Sequence, residues 1–365
     1  MDDLNCWLRL MAVPGLDVSK LAALSPAISI AELCQASTFQ LQQLGLSGAQ
    51  SLHLQQSQNK ADAARRWLEA SPNHWFMPYT DPRYPPLLNQ IKHPPLGLFG
   101  HGDAMALSKP QIAIVGSRRP TPAGRQLALE FAAELAALGF VITSGLARGI
   151  DGAAHQGALR VQGQTIAVMG HGLCYVYPPQ HQALHQQITE HGAVLSEFMP
   201  QQHAKPEFFP IRNRIVVGLS LGTLVVEAAE KSGSLISAHY AADYNREVFA
   251  IPGSIRNPQA AGCHELIQQG AKLTRSVADI VEELAPQLVA GLIRSSVEKN
   301  SCLPHLSDDS LLANVGDEAT AIDLIADRAA MPVADVTIAL QQLELSGAVA
   351  AVPGGYIRVR GPSHV

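Results

Sequence analysis

The amino-acid sequence predicts an α/β fold with a doubly wound sheet, preceded by a small helical domain and followed by a third, smaller domain. From residue 111 to about residue 270, short apolar runs that suit buried strands alternate with stretches of helical apolar spacing. Glycine-rich turns follow several of these runs. The alternation is typical of parallel strands covered by helices on both faces, and 365 residues are enough for two or three domains.

Residues 1–72 are predicted to form the small helical domain. Two pairs of short helices are expected, one joined across Pro14-Gly15 and the other across residues 45–48. This outline resembles a SAM-like or helix-hairpin-helix module. Asp17 stands where the hairpin motif has its second glycine, and its charge would repel a DNA phosphate. We therefore favour a structural or protein-contact role for this domain.

A proline-rich stretch from Pro72 to Gly102 opens the second predicted domain, residues 73–290. Because prolines at this density are taken to exclude regular helix and sheet, we expect an extended segment here. Its apolar side chains are expected to pack along the sheet domain. The stretch is thus predicted to be a docked linker.

The stretch of residues 111–139 predicts a buried strand, a tight turn and a long helix. Thr121 is positioned to cap the helix through its hydroxyl group, and Pro122 suits the first helical turn. Helical spacing predicts one apolar face, which comprises Leu127, Phe131, Leu135 and Leu138. The helix therefore begins directly after the turn, where its N-terminal amide groups can attract an anion.

The turn between this strand and this helix carries Gly116, Ser117, Arg118 and Arg119. Dinucleotide-binding folds place glycines here, whereas this chain has a hydroxyl group and two guanidinium groups. The Ser117 hydroxyl can donate to one phosphate oxygen and the Arg118 fork to two, which favours a phosphodiester over NAD. The alternative is that both arginines are solvated loop charges.

A second segment combines basic and aromatic residues. Lys205 and Phe208 stand three residues apart and are followed by Phe209, Arg212 and Arg214. Proteins that bind single-stranded nucleic acid use cations that follow the phosphates and aromatic faces on which unpaired bases stack. Phe209 is expected to enter the core and Arg214 to point away from the site. The alternative for Lys205 is an ordinary surface charge.

The charge distribution supports a local basic site on an acidic protein. The formal net charge is −5, which by itself argues against a nucleic-acid partner. Residues 105–225, however, hold nine Lys and Arg against six Asp and Glu, a balance of +3, whereas the remainder holds 17 against 25, a balance of −8. The basic residues concentrate in or beside glycine-rich turns, as expected for a localised anion site.

Composition excludes several other classes of protein. A chain that is 47% hydrophobic and 16% charged is typical of a globular protein. The start MDDLNCWLRL lacks the basic and apolar regions of a signal peptide, and no uncharged apolar run reaches the ~20 residues of a membrane span. A cytoplasmic location is therefore expected. The five cysteines are odd in number and form no Cys-x-x-Cys pair, so neither a zinc site nor a disulfide framework is predicted, and no cofactor is expected.

Isolated catalytic candidates do not combine into a site. His155 lies in a predicted helix, and the histidines of the chain form no metal cluster, so we expect it on the helix surface rather than on a metal. Asp151 is expected to cap the same helix. Asp151 and Glu227 belong to different motifs, so the clustered carboxylates that a metal-dependent nuclease needs are not evident.

An enzyme remains the second hypothesis for the sheet domain. The run Gly222-Thr-Leu-Val-Val-Glu227 resembles the end of the PGGxGTxxE motif of nucleotide phosphoribohydrolases, in which a glutamate acts at the ribosyl carbon. The glycines that precede this run in the motif, and that cradle a phosphate, are replaced here by Gly218-Leu-Ser-Leu. We therefore favour a binding protein over an enzyme.

Residues 305–365 are predicted to form the third domain. The pattern of helix, turn, helix and a two-stranded wing, turned at residues 353–355, resembles a winged helix. A DNA-reading helix would carry Arg, Lys, Asn or Gln at its exposed N-terminal end, where this chain has Ala334, Asp335 and Thr337. We expect a protein-contact module, with DNA reading as the alternative.

Several motifs, in this order along the chain, resemble the DprA/Smf family of bacterial DNA-processing proteins. They are GSRRPTPAG, SGLARGIDGAAHQGAL, FPIRNRIVVGLS, GSLISAHYA and AIPGS…GCHELIQQGAK, and the resemblance covers about residues 75–285. It implies an extended Rossmann-like domain that binds single-stranded DNA and delivers it to the recombinase RecA during natural transformation or recombination. It also implies a homodimer.

The resemblance assigns roles to three residues. Arg118 corresponds to a phosphate clamp, Lys205 to a phosphate-binding charge and Phe208 to a base platform. The full set of candidate DNA-binding residues is Gly116, Ser117, Arg118, Arg119, Arg148, Lys205, Phe208, Arg212 and Asn213. The candidate dimer surface lies on the last helix of the sheet domain and comprises His264, Ile267 and Leu273, with burial against the sheet as the alternative.

Overall fold

A computed structural model of the chain describes residues 3–24, 28–285, 314–316, 319–329, 332–345, 348–352 and 354–358. By its internal contacts the chain divides into two compact units, residues 1–288 and residues 289–365. Among the helices within these described ranges, none is both long and apolar enough to cross a membrane.

The helical domain opens the first unit, and its predicted helical character is confirmed. Ser29, Ser37 and Ser47 each cap a helix by accepting a hydrogen bond from the backbone amide three residues later. Its helices are α1 (Asp3–Met11), α2 (Val18–Leu24), α3 (Ile30–Gln35), α4 (Thr38–Gln43), α5 (Gly48–Gln55) and α6 (Gln58–Glu69). Arg9 is buried among them and donates hydrogen bonds of 3.0 Å to backbone carbonyl groups of α3 and α5. These contacts fix the short helices to one another.

A nine-stranded sheet forms the rest of the first unit, and the predicted doubly wound α/β architecture is confirmed. Its strands are β1 (His74–Pro78), β2 (Gly97–Gly102), β3 (Gln111–Val115), β4 (Val141–Ser144), β5 (Thr165–Val168), β6 (Ala193–Ser196), β7 (Gly222–Val225), β8 (Glu247–Ala250) and β9 (Lys272–Leu273). They lie in the order β1-β2-β6-β5-β4-β3-β7-β8-β9. The seven strands from β6 to β9 in this order are parallel.

Helices cover both faces of the sheet. They are α7 (Pro86–Asn89), α8 (Pro122–Ala137), α9 (Ile150–Arg160), α10 (Gln182–His191), α11 (Phe208–Gly218), α12 (Gly233–Asp243) and α13 (Ala261–Gln268), with helical residues again at 277–285. Short 3₁₀ turns occupy Ala104–Ser108, Pro179–His181 and Pro258–Ala260. Ala113 and Val115 of β3 enter one hydrophobic core, whereas Ile112 and Ile114 enter the other, because successive strand residues point to opposite faces.

The prediction of no regular sheet in residues 72–102 is wrong. Strand β1 pairs antiparallel with β2, and β2 pairs antiparallel with β6, so the stretch adds two strands to the sheet. The prolines lie before β1, at its end, or between the two strands, so they remove no amide that this pairing needs. The rings of Trp75 and Phe76 occupy the space above glycines of β2. The prediction considered only the number of prolines in the stretch and not their positions relative to the two strands.

The start of α8 confirms the predicted cap, but its end departs from the predicted apolar face. Thr121 accepts a hydrogen bond of 3.0 Å at Oγ1 from the Gly124 amide. Three of the four predicted face residues pack against the core, among them the buried Phe131 and Leu135. Leu138 is 61% exposed, because the helix ends one residue earlier and Leu138 lies in the turn that leads to β4.

The prediction that His155 lies on a helix surface is wrong. Its side chain is fully buried, and Nδ1 lies 2.7 Å from the Thr165 hydroxyl, which itself donates to the Ile142 carbonyl. Nδ1 must therefore carry the proton. Helix α9 is covered on several sides because Gly157 and neighbouring alanines let α8 approach closely. Burial lowers the pKa of His155 to about 3, so the ring is neutral near pH 7.

The second unit contains the predicted helix pair and wing. Its elements are α14 (Ile322–Ala329), α15 (Val333–Leu345), β10 (Val349–Val352) and β11 (Gly355–Arg358), with the two strands paired antiparallel. Ile325, Val336 and Leu340 are buried between the helices. Pro353, in the predicted wing turn, and the side chains of Ala334 and Asp335 lie outside the described residues, as do residues 305–313.

Candidate nucleic-acid interface

A cleft opens where the strand order reverses beside β3. After β3 the chain adds β4, β5 and β6 on one side, then adds β7, β8 and β9 on the other. In doubly wound sheets, ligands bind at this point, beyond the carboxyl ends of the strands. We call the opening of about 580 Å³ found there the central cleft. It is lined by Val115, Gly116, Ser117, Arg118, Arg119, Ala147, Asp151, Phe209, Pro210, Arg212, Asn213, Ala229, Lys231, Ser232, Gly233, Ser234, Ile236, Ser237 and Gln259.

The turn after β3 is held rigidly at the floor of the central cleft. The Ser117 amide donates to the Glu227 carbonyl at 2.7 Å, and the Ser117 carbonyl accepts from the Ile150 amide at 3.1 Å. Gly149 has a φ of +82°, and a side chain there would collide with the Ser117 carbonyl oxygen. The Ser117 hydroxyl accepts from the Arg119 amide at 3.1 Å, which leaves its proton available to a ligand.

Two exposed arginines extend from this turn. The Arg118 guanidinium lies 5.9 Å from the centre of the Phe209 ring, within the range of a cation–π contact. Among the residues that the structure describes, neither Arg118 nor Arg119 forms a salt bridge. Both positive charges are therefore available to an anion in the central cleft.

Arg212 and Asp151 lie beneath the central cleft. Arg212 Nη1 donates to the Gly145 carbonyl at 2.6 Å and also to the Val168 carbonyl, so it joins the segments after β4 and β5. Gly145 is needed because the guanidinium occupies the place of a side chain. Burial lowers the pKa of Arg212 to about 10, although the nearby Asp151 opposes this, so Arg212 stays charged near pH 7. With 4% of the side chain exposed, Arg212 supports the floor and offers a ligand little surface.

Asp151 does not cap α9 in the predicted way. The N-cap residue is Gly149, and Asp151 lies inside the first turn of the helix. Its carboxylate accepts a hydrogen bond of 3.3 Å from the Ala147 amide. Burial raises the pKa of Asp151, and the Arg212 guanidinium opposes that rise. Asp151 therefore acts as the buried counter-charge of Arg212 and shapes the segment after β4.

The opposite wall of the central cleft is the N-terminus of α12, which sequence reasoning missed. Ser232 caps this helix by accepting from the Ser234 amide at 3.3 Å, and Lys231 is exposed just before it. A helix N-terminus attracts anions, and here it faces two arginines across the central cleft. The signal was present as a Lys-Ser-Gly-Ser run between an apolar strand and a helix, the same order of strand, turn and helix as at Ser117.

Lys205 and Phe208 lie beside the central cleft rather than in its lining. The Lys205 ammonium is 5.5 Å from the centre of the Phe208 ring, and Phe208 stacks on Phe198 with centres 4.3 Å apart. The interpretation that Phe209 enters the core is wrong, because this ring is half-buried and lines the central cleft. Both phenylalanines lie in the first turn of α11. Its buried residues start at Arg212.

The remaining candidates divide between the central cleft and its surroundings. Asn213 is half-buried in the lining. Arg148 is exposed outside the lining and donates to Gln180 at 3.1 Å. Arg214 points away from the site, as predicted, and forms a two-bond salt bridge of 2.7 and 2.5 Å with Glu197. That pair fastens α11 to the end of β6.

Glu227 is engaged in holding the start of α8. Its two carboxylate oxygens accept from the Thr121 amide at 2.9 Å and from the Thr121 hydroxyl at 2.6 Å. Its side chain is buried, and Gly124 leaves room for the carboxylate. The carboxylate is absent from the lining of the central cleft. It is therefore placed to position the turn at residues 116–119, which we call the arginine turn, rather than to attack a ribosyl carbon.

The candidate dimer residues differ in exposure. Leu273 is 43% exposed, whereas Ile267 is partly buried and packs against the core. His264 Nε2 lies 2.9 Å from the Gly253 carbonyl. Ile255, in the same loop as Gly253, is 90% exposed. The apolar surface near α13 is therefore made by Leu273 and Ile255 more than by Ile267.

Sequence models of one protein family match three segments of the chain. The model described as DNA recombination-mediator protein A matches residues 75–285, the SMF/DprA SAM domain matches residues 1–64, and the DprA winged helix domain matches residues 305–355. Together with the sheet topology, these matches confirm the predicted fold class.

Individual relatives agree with the family models. Protein Smf of Escherichia coli (strain K12) is 42% identical over 373 residues, which cover 100% of this chain and 98% of that protein. DNA processing protein DprA of Bacillus subtilis (strain 168) is 45% identical over 209 residues, which cover 57% of this chain and 70% of that protein.

Two solved structures are also similar. DNA processing protein A from Streptococcus pneumoniae superposes with a TM-score of 0.66 and 34% identity, covering 78% of this chain and 99% of that one. DNA processing protein A from Helicobacter pylori, whose structure concerns its single-stranded DNA binding mode, gives a TM-score of 0.52 and 33% identity, covering 56% of this chain and 93% of that one.

Proposed function

The chain belongs to the DNA recombination-mediator protein A family, also named DprA/Smf, and from that premise we propose that it binds single-stranded DNA in the central cleft. One observation carries the proposal. At the strand switch point, two arginines without salt bridges among the described residues face a helix N-terminus across an opening of about 580 Å³. Such an opening suits phosphates of a flexible strand.

Each side chain then has a role that follows from its position. Arg118 grips a phosphate with its planar fork, and Ser117 donates its hydroxyl proton to the same group. Lys231 and the amide groups at the start of α12 hold a second phosphate from the opposite wall. Lys205 adds a charge outside the central cleft, where Phe208 offers a ring to an unpaired base. Arg119, Arg148 and Asn213 complete the proposed set, whereas Gly116 and Arg212 shape it.

The same features favour single strands over duplexes. Stacking on a protein ring requires a base whose face is exposed, and a paired base inside a duplex offers none. The described parts of the first unit present no isolated basic helix of the kind that enters a major groove. The structure reported for the single-stranded DNA binding mode of the Helicobacter pylori protein supports the same preference.

Fluorescence anisotropy tests this proposal with labelled single- and double-stranded oligonucleotides of one sequence at several salt concentrations. We expect tighter binding of the single strand and a logarithm of affinity that falls linearly with the logarithm of salt concentration. Equal affinity for both forms would contradict the proposed strand preference. Affinity that does not change with salt would contradict phosphate binding by the arginines.

A finer role follows from the family resemblance. We propose that the protein acts in the cytoplasm and transfers bound single strands to the recombinase RecA during transformation or recombination. RecA assembly on single-stranded DNA should then start with a shorter lag when this protein is present. An unchanged lag, with DNA binding intact, would separate the binding role from the loading role.

We also propose a homodimer, which would join two DNA sites into one longer path. Because Leu273 is exposed and Ile267 is partly buried, Leu273→Glu is the better probe of the surface near α13. The variant should remain folded, become monomeric in light scattering and bind DNA a few-fold more weakly. A wild-type protein that is monomeric at micromolar concentration would exclude the dimer.

The proposal makes the protein a binding protein rather than a nucleotide phosphoribohydrolase. The Glu227 carboxylate, which that chemistry would need, is occupied by Thr121. Incubation of the purified protein with AMP should release no adenine. Clear turnover would overturn the assignment to a binding protein.

A further inference from the structure

Two loops at the carboxyl edge of the sheet lie side by side next to the central cleft. One comprises residues 171–178, after β5, and the other comprises residues 198–209, which run from the end of β6 into the first turn of α11. Backbone hydrogen bonds join them: the Gly172 amide donates to the Gln202 carbonyl at 2.8 Å, and the Cys174 amide donates to the Pro200 carbonyl at 2.9 Å. The two loops therefore form one continuous surface beyond the ends of β5 and β6.

Aromatic rings from the two loops meet in pairs on this surface. Tyr177 and Phe209 have ring centres 5.5 Å apart, with planes inclined by 36°. Tyr175 and His203 are stacked with centres 4.3 Å apart and planes inclined by 28°, and the tyrosine hydroxyl lies 3.2 Å from His203 Nε2. We call Tyr177, Tyr175 and His203 the ring path.

The tyrosine side chains of the ring path are largely exposed, although they take part in ring contacts. Tyr177 is 51% exposed and Tyr175 is 39% exposed, whereas Phe99 and Phe249, which build the cores, are fully buried. Side chains placed to stabilise the loops would bury most of their apolar surface. Adjacent exposed rings are instead typical of surfaces that receive another flat, apolar group.

Charge and continuity indicate which group that is. Phe209 belongs both to the lining of the central cleft and to a ring pair with Tyr177, so the ring path begins where Arg118 is placed to hold a phosphate. Lys205 stands on the other loop. Residues 171–178 contain no lysine, arginine or carboxylate, and Glu207 is the exposed carboxylate of residues 198–209. Cations beside uncharged rings suit a strand whose phosphates run along the edge while its bases lie on the rings.

We propose that the ring path is an extension of the DNA site, on which bases of a single strand leaving the central cleft stack over the ends of β5 and β6. The inference rests on the proposed function, because it needs the strand to be held in the central cleft first. It adds a base-stacking surface and gives the strand a direction, from the arginine turn towards Tyr175 and His203.

Length-dependent binding tests the ring path. The full chain and its Tyr177→Ala and Tyr175→Ala variants are titrated by anisotropy into oligothymidines of about 4 and about 16 nucleotides, the range of site sizes of single-strand binding modules. We expect each variant to bind the long strand about fivefold or more weakly, as expected for one lost stacking contact, and to bind the short strand almost unchanged. The salt dependence should stay the same, since stacking releases no counterion.

Two control variants exclude general effects. Tyr177→Phe keeps the ring and should retain wild-type affinity for the long strand. Phe39→Ala removes a ring that is 69% exposed on α4 of the helical domain, and it should have no effect. Melting temperatures of all variants show whether they remain folded.

Crosslinking provides a measurement that needs no substitution. A long strand carrying 5-iodouracil should, on irradiation, form adducts with Tyr175, Tyr177 or His203 that mass spectrometry detects. Folded tyrosine variants that bind the long strand as tightly as the wild type, or adducts confined to the central cleft, would overturn the ring path. Failure of the wild type to bind any single strand would instead overturn the proposed function itself.

Discussion

The central cleft and the C-terminal unit are the two candidate DNA-binding regions of the chain, yet their residues differ. The central cleft brings Arg118, Arg119 and Lys231 together at two strand–turn–helix junctions. Helix α15, in the position of a recognition helix, reads VADVTIALQQLEL and has two carboxylates and no basic residue. A surface that binds phosphates needs basic residues close together, as in the central cleft, whatever fold carries them. The comparison shows that the residues at a site, more than its shape, indicate DNA binding.

The surface of the C-terminal unit fits a protein partner better. Val333 and Leu324 are 46% and 44% exposed, and the Thr337 hydroxyl donates to the Val333 carbonyl rather than facing a ligand. Asp335 is the third residue of α15, where a negative charge favours the helix dipole but repels phosphates. We therefore keep the proposal that this unit contacts protein.

The largest expected effect is that of Arg118→Ala on single-strand affinity. A charge-assisted hydrogen bond contributes about 1.5 to 3 kcal/mol, so affinity should fall about tenfold or more. The slope of log affinity against log salt should decrease in magnitude by about one, as one phosphate contact is lost. Titration by anisotropy at several salt concentrations measures both quantities.

Arg125→Ala is the matched control for that variant. Arg125 is exposed on the first turn of α8, bonds to Gln156 at 3.3 Å and does not line the central cleft. The variant removes the same kind of charge from the helix that follows the turn, but it should leave affinity almost unchanged. Equal losses in the two variants would show that net charge, and not the arginine turn, governs binding.

The next effect is that of Phe208→Ala, which tests the base platform beside the central cleft. Loss of one base–ring stack should cost about 1 to 3 kcal/mol of binding free energy, with no change in the salt slope. The same titration distinguishes it from Arg118→Ala, since one variant changes the slope and the other does not. A change in slope at Phe208 would mean that Lys205, which lies over the ring, had been displaced as well.

A smaller expected effect is that acid pH destabilises the first unit more than the second. The folded pKa of His155 is about 3, below the value of about 6.5 for an unfolded histidine, so unfolding takes up a proton between these values. The contribution of His155 to stability is therefore present above pH 6.5 and is lost as the pH falls, by about 1.4 kcal/mol at pH 5.5. Residues 314–358 contain no histidine. Calorimetry should show the transition of the first unit moving down between pH 7 and pH 5.5 while that of the second unit moves less.

A His155→Gln variant checks the cause. Glutamine can still hydrogen-bond the Thr165 hydroxyl but does not titrate, so this variant should lose part of the shift of the first transition. The rest should remain, because burial also lowers the pKa of His185, to about 4, and that of His101 and His171. A wild-type first transition that does not respond to pH in this range would contradict a buried, neutral His155.

Much of the fold was predictable from sequence because local patterns and the global architecture agree. After Gln111, strand β3 is uninterrupted by polar residues, and the Thr121 cap directly follows the turn, so their positions were clear. Strands β1 and β2 were missed because proline density was averaged over residues 72–102, although the prolines lie before β1, at its last residue, or between the two strands. Burial of His155 was missed because it depends on how closely α8 approaches α9. The small residues of α9 permit this approach, but the packing of two separate helices is not visible in a local sequence pattern.

The site was predictable in part for the same reason. Gly116, Ser117, Arg118 and Arg119 share one local turn, and the structure places all four in the central cleft. Lys231 and Ser232 come more than a hundred residues later, and they meet the arginine turn only because β7 pairs with β3. The burial of Arg212 was equally inaccessible, since it depends on carbonyl groups that follow β4 and β5.

The smallest expected effect is also the most direct test of the comparison between the two units. Removing residues 305–365 should leave the first unit folded, because residues 1–288 form a compact unit. Anisotropy should then give a single-strand affinity within a few-fold of that of the full chain and an unchanged salt slope, since the phosphate contacts of the central cleft remain. A truncated protein that stays folded and keeps its oligomeric state, yet loses most of its affinity, would contradict the central claim that the cleft binds the DNA.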